Sequence, residues 1–266
     1  MGMSAVAAGT AVHVESAGAG PPLVLLHGWA LHGGLFAPLM AGYAARFRVH
    51  AVDLPGHGHS SRTEVETLDR IVDAVASSIG CCEPLSVLGW SFGGQVALRW
   101  AAREPARIAR LVLVGTSPRF VAAPDWPHAM TADTLARFGD ELAAGFRPTL
   151  LRFLTLQVQG SDEGRRTLAL LRHQLFARGD PPRGAIAAAL GLLASTDLRD
   201  EARDVATPAL VVSGERDTLA PPAAGAWLAK AMPNAHHACL PGAAHAPFLS
   251  HRAAFVAAAA AFLDGH

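Results

Sequence analysis

Six short apolar runs limit what this chain can fold into. PLVLLHGW (22–29), FRVHAVDLPGHGHS (47–60), LSVLGWS (85–91), IARLVLVGTS (108–117), TPALVVSGERD (207–217) and NAHHACLPGAAHAP (234–247) each carry an apolar stretch that ends in small or polar residues. The apolar residues run together instead of alternating with polar ones, which predicts strands buried on both faces. Helical sequence separates them; FGGQVALRWAAREP (92–105), for example, runs to a stop at Pro105. Strand and helix in alternation predict an α/β fold, a mostly parallel sheet flanked by helices. In such folds ligands bind beyond the carboxyl ends of the strands, and the glycines, histidines, serine and aspartate of interest here all follow a predicted strand.

Residues 118–190 break the alternation. They are rich in Leu, Ala, Arg, Phe and Pro, and are expected to form a helical cap inserted into a core made of 1–117 and 191–266. A length of 266 residues suits one domain with such an insertion, and 51% hydrophobic content supplies its core. Cationic and acidic residues balance at 22 each, which argues against a nucleic-acid-binding surface. Three cysteines, Cys81, Cys82 and Cys239, do not make a disulfide framework, so a reduced, cytoplasmic protein is expected. The first residues lack the basic and apolar segments of a secretory leader. AAFVAAAAAFL (253–263) is too short to span a bilayer and reads as a helix packed on the core.

The chemistry centres on LGWSFGGQVA (88–97), in which Gly89-x-Ser91-x-Gly93 lies between a strand and a helix. That context makes it a nucleophile elbow: a turn too tight for bulky neighbours, with the hydroxyl of Ser91 held out at a helix start. The amide of Phe92 then faces any developing negative charge. A serine needs a base. Among 13 histidines, His245 in GAAHAP follows the last strand and completes the chain order serine, acid, histidine. Asp217, at the end of VVSGERD, is the acid that would orient the imidazole, with Glu215 the alternative two residues earlier. HGW (27–29) offers the Trp29 amide as a second oxyanion donor and its indole as a pocket wall. His57 and His59 in GHGHS look like a metal pair but lack an evident third ligand, so a structural loop is expected. GAGPP (18–22) is a turn and not a dinucleotide fingerprint. No metal and no cofactor are expected.

The segments LVLLHGW, VDLPGHGHS, LGWSFGGQVA, the Asp217 loop and AAHAPFLSH resemble the α/β-hydrolase superfamily along the whole chain. SPRFVAAPDWP (117–127), RFLTLQVQG (152–160) and TDLR (196–199) more narrowly resemble the carboxylesterase family of biotin synthesis, whose members remove the methyl ester from pimeloyl-acyl carrier protein. The resemblance implies a triad of Ser91, Asp217 and His245, with oxyanion amides and substrate contacts from Trp29 and Phe92. Phe153, Leu154, Thr155, Leu156 and Gln157 would line the cap side of the acyl pocket. Phe92 stands where the family often has leucine and would narrow that pocket. Arg152 and Arg165 match cap arginines that hold the carrier protein, with Arg147, Arg166 and Arg172 nearby. Seven arginines against three acidic residues over 146–183 leave four excess positive charges, which on charge alone reads first as a solvated helical surface and, with the resemblance, suits an acidic partner.

The expected function is therefore a monomeric serine carboxylesterase acting on a carrier-bound methyl ester. The alternatives are a general short-chain esterase or C–C bond hydrolase with the same triad, or a receptor that keeps the fold without turnover. Relatives with an aspartate nucleophile are disfavoured because position 91 is serine.

Overall fold

The computed structural model describes residues 11–80 and 83–265. The expectations about a leader and about the Cys81–Cys82 pair rest on residues outside these.

Seven strands form one sheet in the order β1-β3-β2-β4-β5-β6-β7. They are β1 (Val14–Ala17), β2 (Pro22–Leu26), β3 (Arg48–Val52), β4 (Leu85–Trp90), β5 (Ile108–Val114), β6 (Ala209–Gly214) and β7 (Ala235–Leu240). All neighbours pair in parallel except β1, which runs antiparallel to β3. The uninterrupted apolar runs have their cause in the centre of the sheet. Every residue of β2, β4 and β6 is buried, because helices cover both faces. Each leucine or valine so buried contributes about 1.5–3 kcal/mol. The edge strand β1, VESA, is only partly buried and has no apolar signature, which is why the sequence pattern does not reveal it.

The helices are α1 (Ala37–Tyr43), α2 (Leu68–Ile79), α3 (Phe92–Arg103), α4 (Ala132–Ala144), α5 (Phe146–Gln157), α6 (Gly164–Leu175), α7 (Arg183–Ser195), α8 (Arg199–Asp204), α9 (Pro222–Ala231), α10 (Pro247–Ser250) and α11 (Arg252–Leu263). Local signals set several of their ends. Thr67 caps α2 by accepting from the Arg70 amide, and Gly80 ends it with φ of 63°. Thr131 caps α4 in the same way through the Thr134 amide.

Helices α4 to α7 lie between β5 and β6 as an insertion. The last of them continues to Ser195, so the boundary expected at 190 falls inside a helix. The insertion is fastened to the core on two sides. On one, Arg178 reaches Asp53 at 2.7 Å and also pairs with Glu15, the Trp29 indole donates to the Ile186 carbonyl at 2.9 Å, and His32 Nε2 donates to the Gln174 carbonyl at 2.7 Å. On the other, Asp162 pairs with Arg216, and its amide donates to the Gly242 carbonyl at 3.1 Å.

Candidate active site

The strand order reverses between β2 and β4: the chain moves outward from β2 to β3 on one side and from β4 through β7 on the other. Ligand crevices of doubly wound sheets open at such a point. The loops leaving β2 and β4 carry Trp29 and Ser91.

Ser91 sits on the turn between β4 and α3 with φ of 54° and ψ of −116°, a conformation that costs a non-glycine residue about 1–3 kcal/mol. The flanking glycines make that turn feasible. A Cβ at Gly89 would stand 2.4 Å from the Gly93 carbonyl oxygen, and one at Gly93 would stand 2.3 Å from the Leu26 carbonyl oxygen. Both distances are far inside contact, so position 91 can be held out only because positions 89 and 93 carry no side chain.

Ser91, His245 and Asp217 are brought together in a line. His245 Nε2 lies 2.9 Å from Ser91 Oγ, and Nδ1 lies 2.8 Å from Asp217 Oδ2. The other carboxylate oxygen of Asp217 accepts from the Leu219 and Ala220 amides, each at 2.9 Å. The side chain of Asp217 is fully buried and that of His245 nearly so. A carboxylate fixed by two amides orients the ring with Nδ1–H toward Asp217, leaving Nε2 free to accept the serine proton. The backbone of His245 is held too. Its carbonyl accepts from the Trp90 indole at 2.8 Å, and its amide donates to the Gln157 carbonyl, at the end of α5, at 3.1 Å. Glu215, the alternative acid, instead accepts from the Gly242 amide at 2.9 Å and braces the same loop from outside.

The loop after β2 approaches the serine closely: a Cβ at Gly28 would lie 3.4 Å from Ser91 Cβ. The next amide in that loop, Trp29, and the first amide of α3, Phe92, donate to no protein acceptor among the described residues. Two uncommitted N–H groups flanking Ser91 can donate to a negatively charged oxygen.

Above Ser91 is a cavity of about 230 Å³ walled by apolar side chains, among them Trp29, Phe120, Phe138, Phe153 and Leu193. Trp29 meets Phe153 and Phe138 edge to face, with ring centres 5.0 and 5.6 Å apart, and the two phenylalanines are tilted against each other. Of the α5 residues expected in the pocket, Phe153 and Leu156 line it, one helical turn apart. Leu154 points into the core, and Thr155 faces solvent and donates back to the Leu151 carbonyl. Gln157 is buried and serves His245 through its carbonyl. The ring of Phe92, the first residue of α3, is wholly buried in the core and does not line the cavity, so it does not narrow the pocket. Contributions from α4 and α7, such as Met130 before α4, Leu135 and Leu190, have no sequence signal that separates them from core positions.

Arginines of the insertion are differently engaged. Arg152 pairs with Glu141, Arg147 with Asp180, and Arg166 with Glu163 at 3.8 Å. Arg165 and Arg172 are exposed and make no ion pair among the described residues. Arg178 belongs to the buried clasp described above and offers nothing to a partner.

His57 is buried and bonded to the Pro55 carbonyl at 3.0 Å, and burial lowers its pKa to about 4. His59 does have potential co-ligands, since its ring lies with His13 and Asp53 in a group whose ligand atoms are within 4.8 Å of one another. Asp53, however, already accepts from the Gly33 and His59 amides at 2.7 Å each and from Arg178. Burial opposes its ionisation, but the neighbouring His27 and these donors together outweigh burial, and its pKa is lowered.

Residues 21–252 match the family described as alpha/beta hydrolase fold. The pimeloyl-(acyl-carrier protein) methyl ester esterase of Chromobacterium violaceum is 45% identical, covering 94% of this chain and 97% of that protein. The protein of the same name from Nitrosomonas europaea is 43% identical, covering 92% and 96%. Among solved structures, an esterase from Exiguobacterium antarcticum superposes with a TM-score of 0.86 over 96% of both chains at 22% identity, a likeness of fold. From its sheet, from its elbow and from these relatives, the chain belongs to the α/β-hydrolase family, in the group of the pimeloyl-(acyl-carrier protein) methyl ester esterases.

Proposed function

We propose that this protein is a serine carboxylesterase that hydrolyses the methyl ester of a pimeloyl chain carried by acyl carrier protein. The observation that supports it most is the unbroken chain from Ser91 through His245 to Asp217 at the base of an apolar cavity. The relatives' names supply the substrate.

The geometry suits acyl transfer. Ser91 Oγ attacks the ester carbonyl as His245 Nε2 takes its proton. The carbonyl oxygen, now negative, turns toward the Trp29 and Phe92 amides. His245 passes the proton to departing methanol, leaving an acyl-serine. Water, deprotonated by the same nitrogen, releases the free carboxylate and restores the serine. Asp217 stabilises the imidazolium in both halves.

Helices α4 to α7 act as the cap. Phe153 and Leu156 line the acyl chain's path, and the exposed Arg165 and Arg172 lead the arginine-rich face on which an acidic carrier docks, with Arg147, Arg152 and Arg166 adding to its field. The test compares kcat/KM for methyl pimeloyl-carrier protein with that for p-nitrophenyl butyrate, for wild type and Ser91→Ala. Turnover by Ser91→Ala near the wild-type rate would overturn the nucleophile. No preference for the carrier-bound ester would favour a general esterase. Growth of a biotin auxotroph lacking its own esterase, when supplied with this gene, tests the pathway.

A further inference from the structure

The cavity above Ser91 is open on one side, where the exposed Thr134, Leu156 and Thr218 frame its mouth. On another side its wall is thin. Leu135 of α4 and Leu190 of α7 line this cavity and also an open groove of about 590 Å³ that runs along the exposed seam between the two helices. The seam is hollow because small residues face it, among them Ala136 and Gly139 on α4 and Ala187 and Gly191 on α7. A Cβ added at Gly191 would meet nothing within 4 Å, and one at Gly139 would meet only Leu190 Cδ2, at 3.9 Å. Two side chains thus separate the reacting centre from an apolar groove larger than the pocket itself.

An ester has two ends. If the acyl end is tethered to a carrier protein, as proposed above, that end must leave by the mouth, and the alcohol end is left facing the interior walls. We propose that Leu135 and Leu190 form a partition that sets the size of the leaving alcohol, admitting methanol and excluding longer chains from the groove behind. The inference rests on the carrier-ester reading. Hydrophobic walls discriminate by about 10- to 200-fold per methylene group, so two truncated leucines are enough to change the order of preference.

The experiment measures kcat/KM for methyl, butyl and octyl esters of pimeloyl-carrier protein. Wild type is expected to favour methyl over octyl. The double variant Leu135→Ala/Leu190→Ala, and more mildly Leu190→Val alone, should raise the octyl-to-methyl ratio, by at least about tenfold for the double variant. Adding Gly191→Leu refills the groove from its own lining and should bring the ratio back down. That reversal separates a partition from general loosening of the cap. Equal rates for methyl and octyl in wild type, a parallel change across all three esters, or an unchanged ratio on adding Gly191→Leu would each overturn the proposal. If the double variant does not fold, Leu190→Val alone decides between these outcomes. Failure of the carrier reading is distinguishable: wild type would then hydrolyse carrier-free methyl pimelate as well as the carrier-bound ester, whatever the ratio between alcohols.

Discussion

Replacement of Arg178 by methionine tests how the cap is held. The Arg178 side chain is 9% exposed and its partner Asp53 is wholly buried, whereas the Glu15 side chain is 43% exposed. The half-exposed Glu15 arm adds little, since solvent-screened pairs contribute about 0–1 kcal/mol. Asp53 decides the outcome. Removing one partner of a buried pair costs about 3–5 kcal/mol, because the other charge remains buried. Here the Gly33 and His59 amides still hold Asp53, so the expectation lies near the lower end, about 3 kcal/mol. For a chain of this size that corresponds to a fall in Tm of roughly 6–12 °C. Arg178→Lys, which keeps the charge but loses the fork, should fall between. Asp53→Asn in the Arg178→Met background should cost less than the sum of the two single changes, since no charge is then stranded. Thermal melts at neutral pH followed by circular dichroism read all five proteins: wild type, the three single variants and the double variant. A Tm within about 2 °C of wild type for Arg178→Met, or strict additivity in the double variant, would refute the reasoning.

Asp217→Asn should lower kcat by roughly 10³–10⁴-fold with a smaller effect on KM, as read by steady-state ester hydrolysis, because the imidazolium loses its counter-charge. Gly93→Ala should yield little soluble protein, since its methyl group would meet the Leu26 carbonyl oxygen at 2.3 Å; normal yield and a wild-type melt would count against the elbow geometry. Burial lowers the pKa of His27 to about 3 and of His57 to about 4, against about 6.5 in an unfolded chain. The unfolded state therefore takes up these protons first as pH falls. Stability should be full above about pH 6.5 and decline toward pH 4 by up to about 1.4 kcal/mol per pH unit for each histidine. Urea titrations at pH 7.5, 6 and 5 measure that slope, which His57→Gln should reduce.

The parts of this molecule visible in its sequence are those where one residue type is compulsory. Gly89 and Gly93 are read easily because a Cβ at either would strike a backbone oxygen, Ser91 because it stands between them, and the buried strands because two-sided burial admits mostly apolar residues. His245 follows from chain order, but chain order leaves Glu215 beside Asp217, and the two are separated only by which carboxylate reaches the imidazole. The cap is harder. Around α5, leucine and phenylalanine occupy several sides, and whether a given one faces core, pocket or solvent depends on how the helix is rolled; thus Phe153 lines the cavity while Leu154 is core. For Phe92 the elbow motif points to the amide, whereas the wholly buried ring departs from the pocket-narrowing role expected of it. The bond from Arg178 to Asp53 spans 125 residues, and neither local sequence carries any trace of it.

The hydrogen bond from the His245 amide to the Gln157 carbonyl has a consequence for anyone wishing to re-engineer this esterase. The inserted helices strut the His245 loop, and on the proposed mechanism they would also roof the substrate. A chimera that grafts another family member's insert onto this sheet must end its second helix at the same height, or the imidazole will drift from the hydroxyl. Selectivity and chemical competence are therefore not independent modules in this chain.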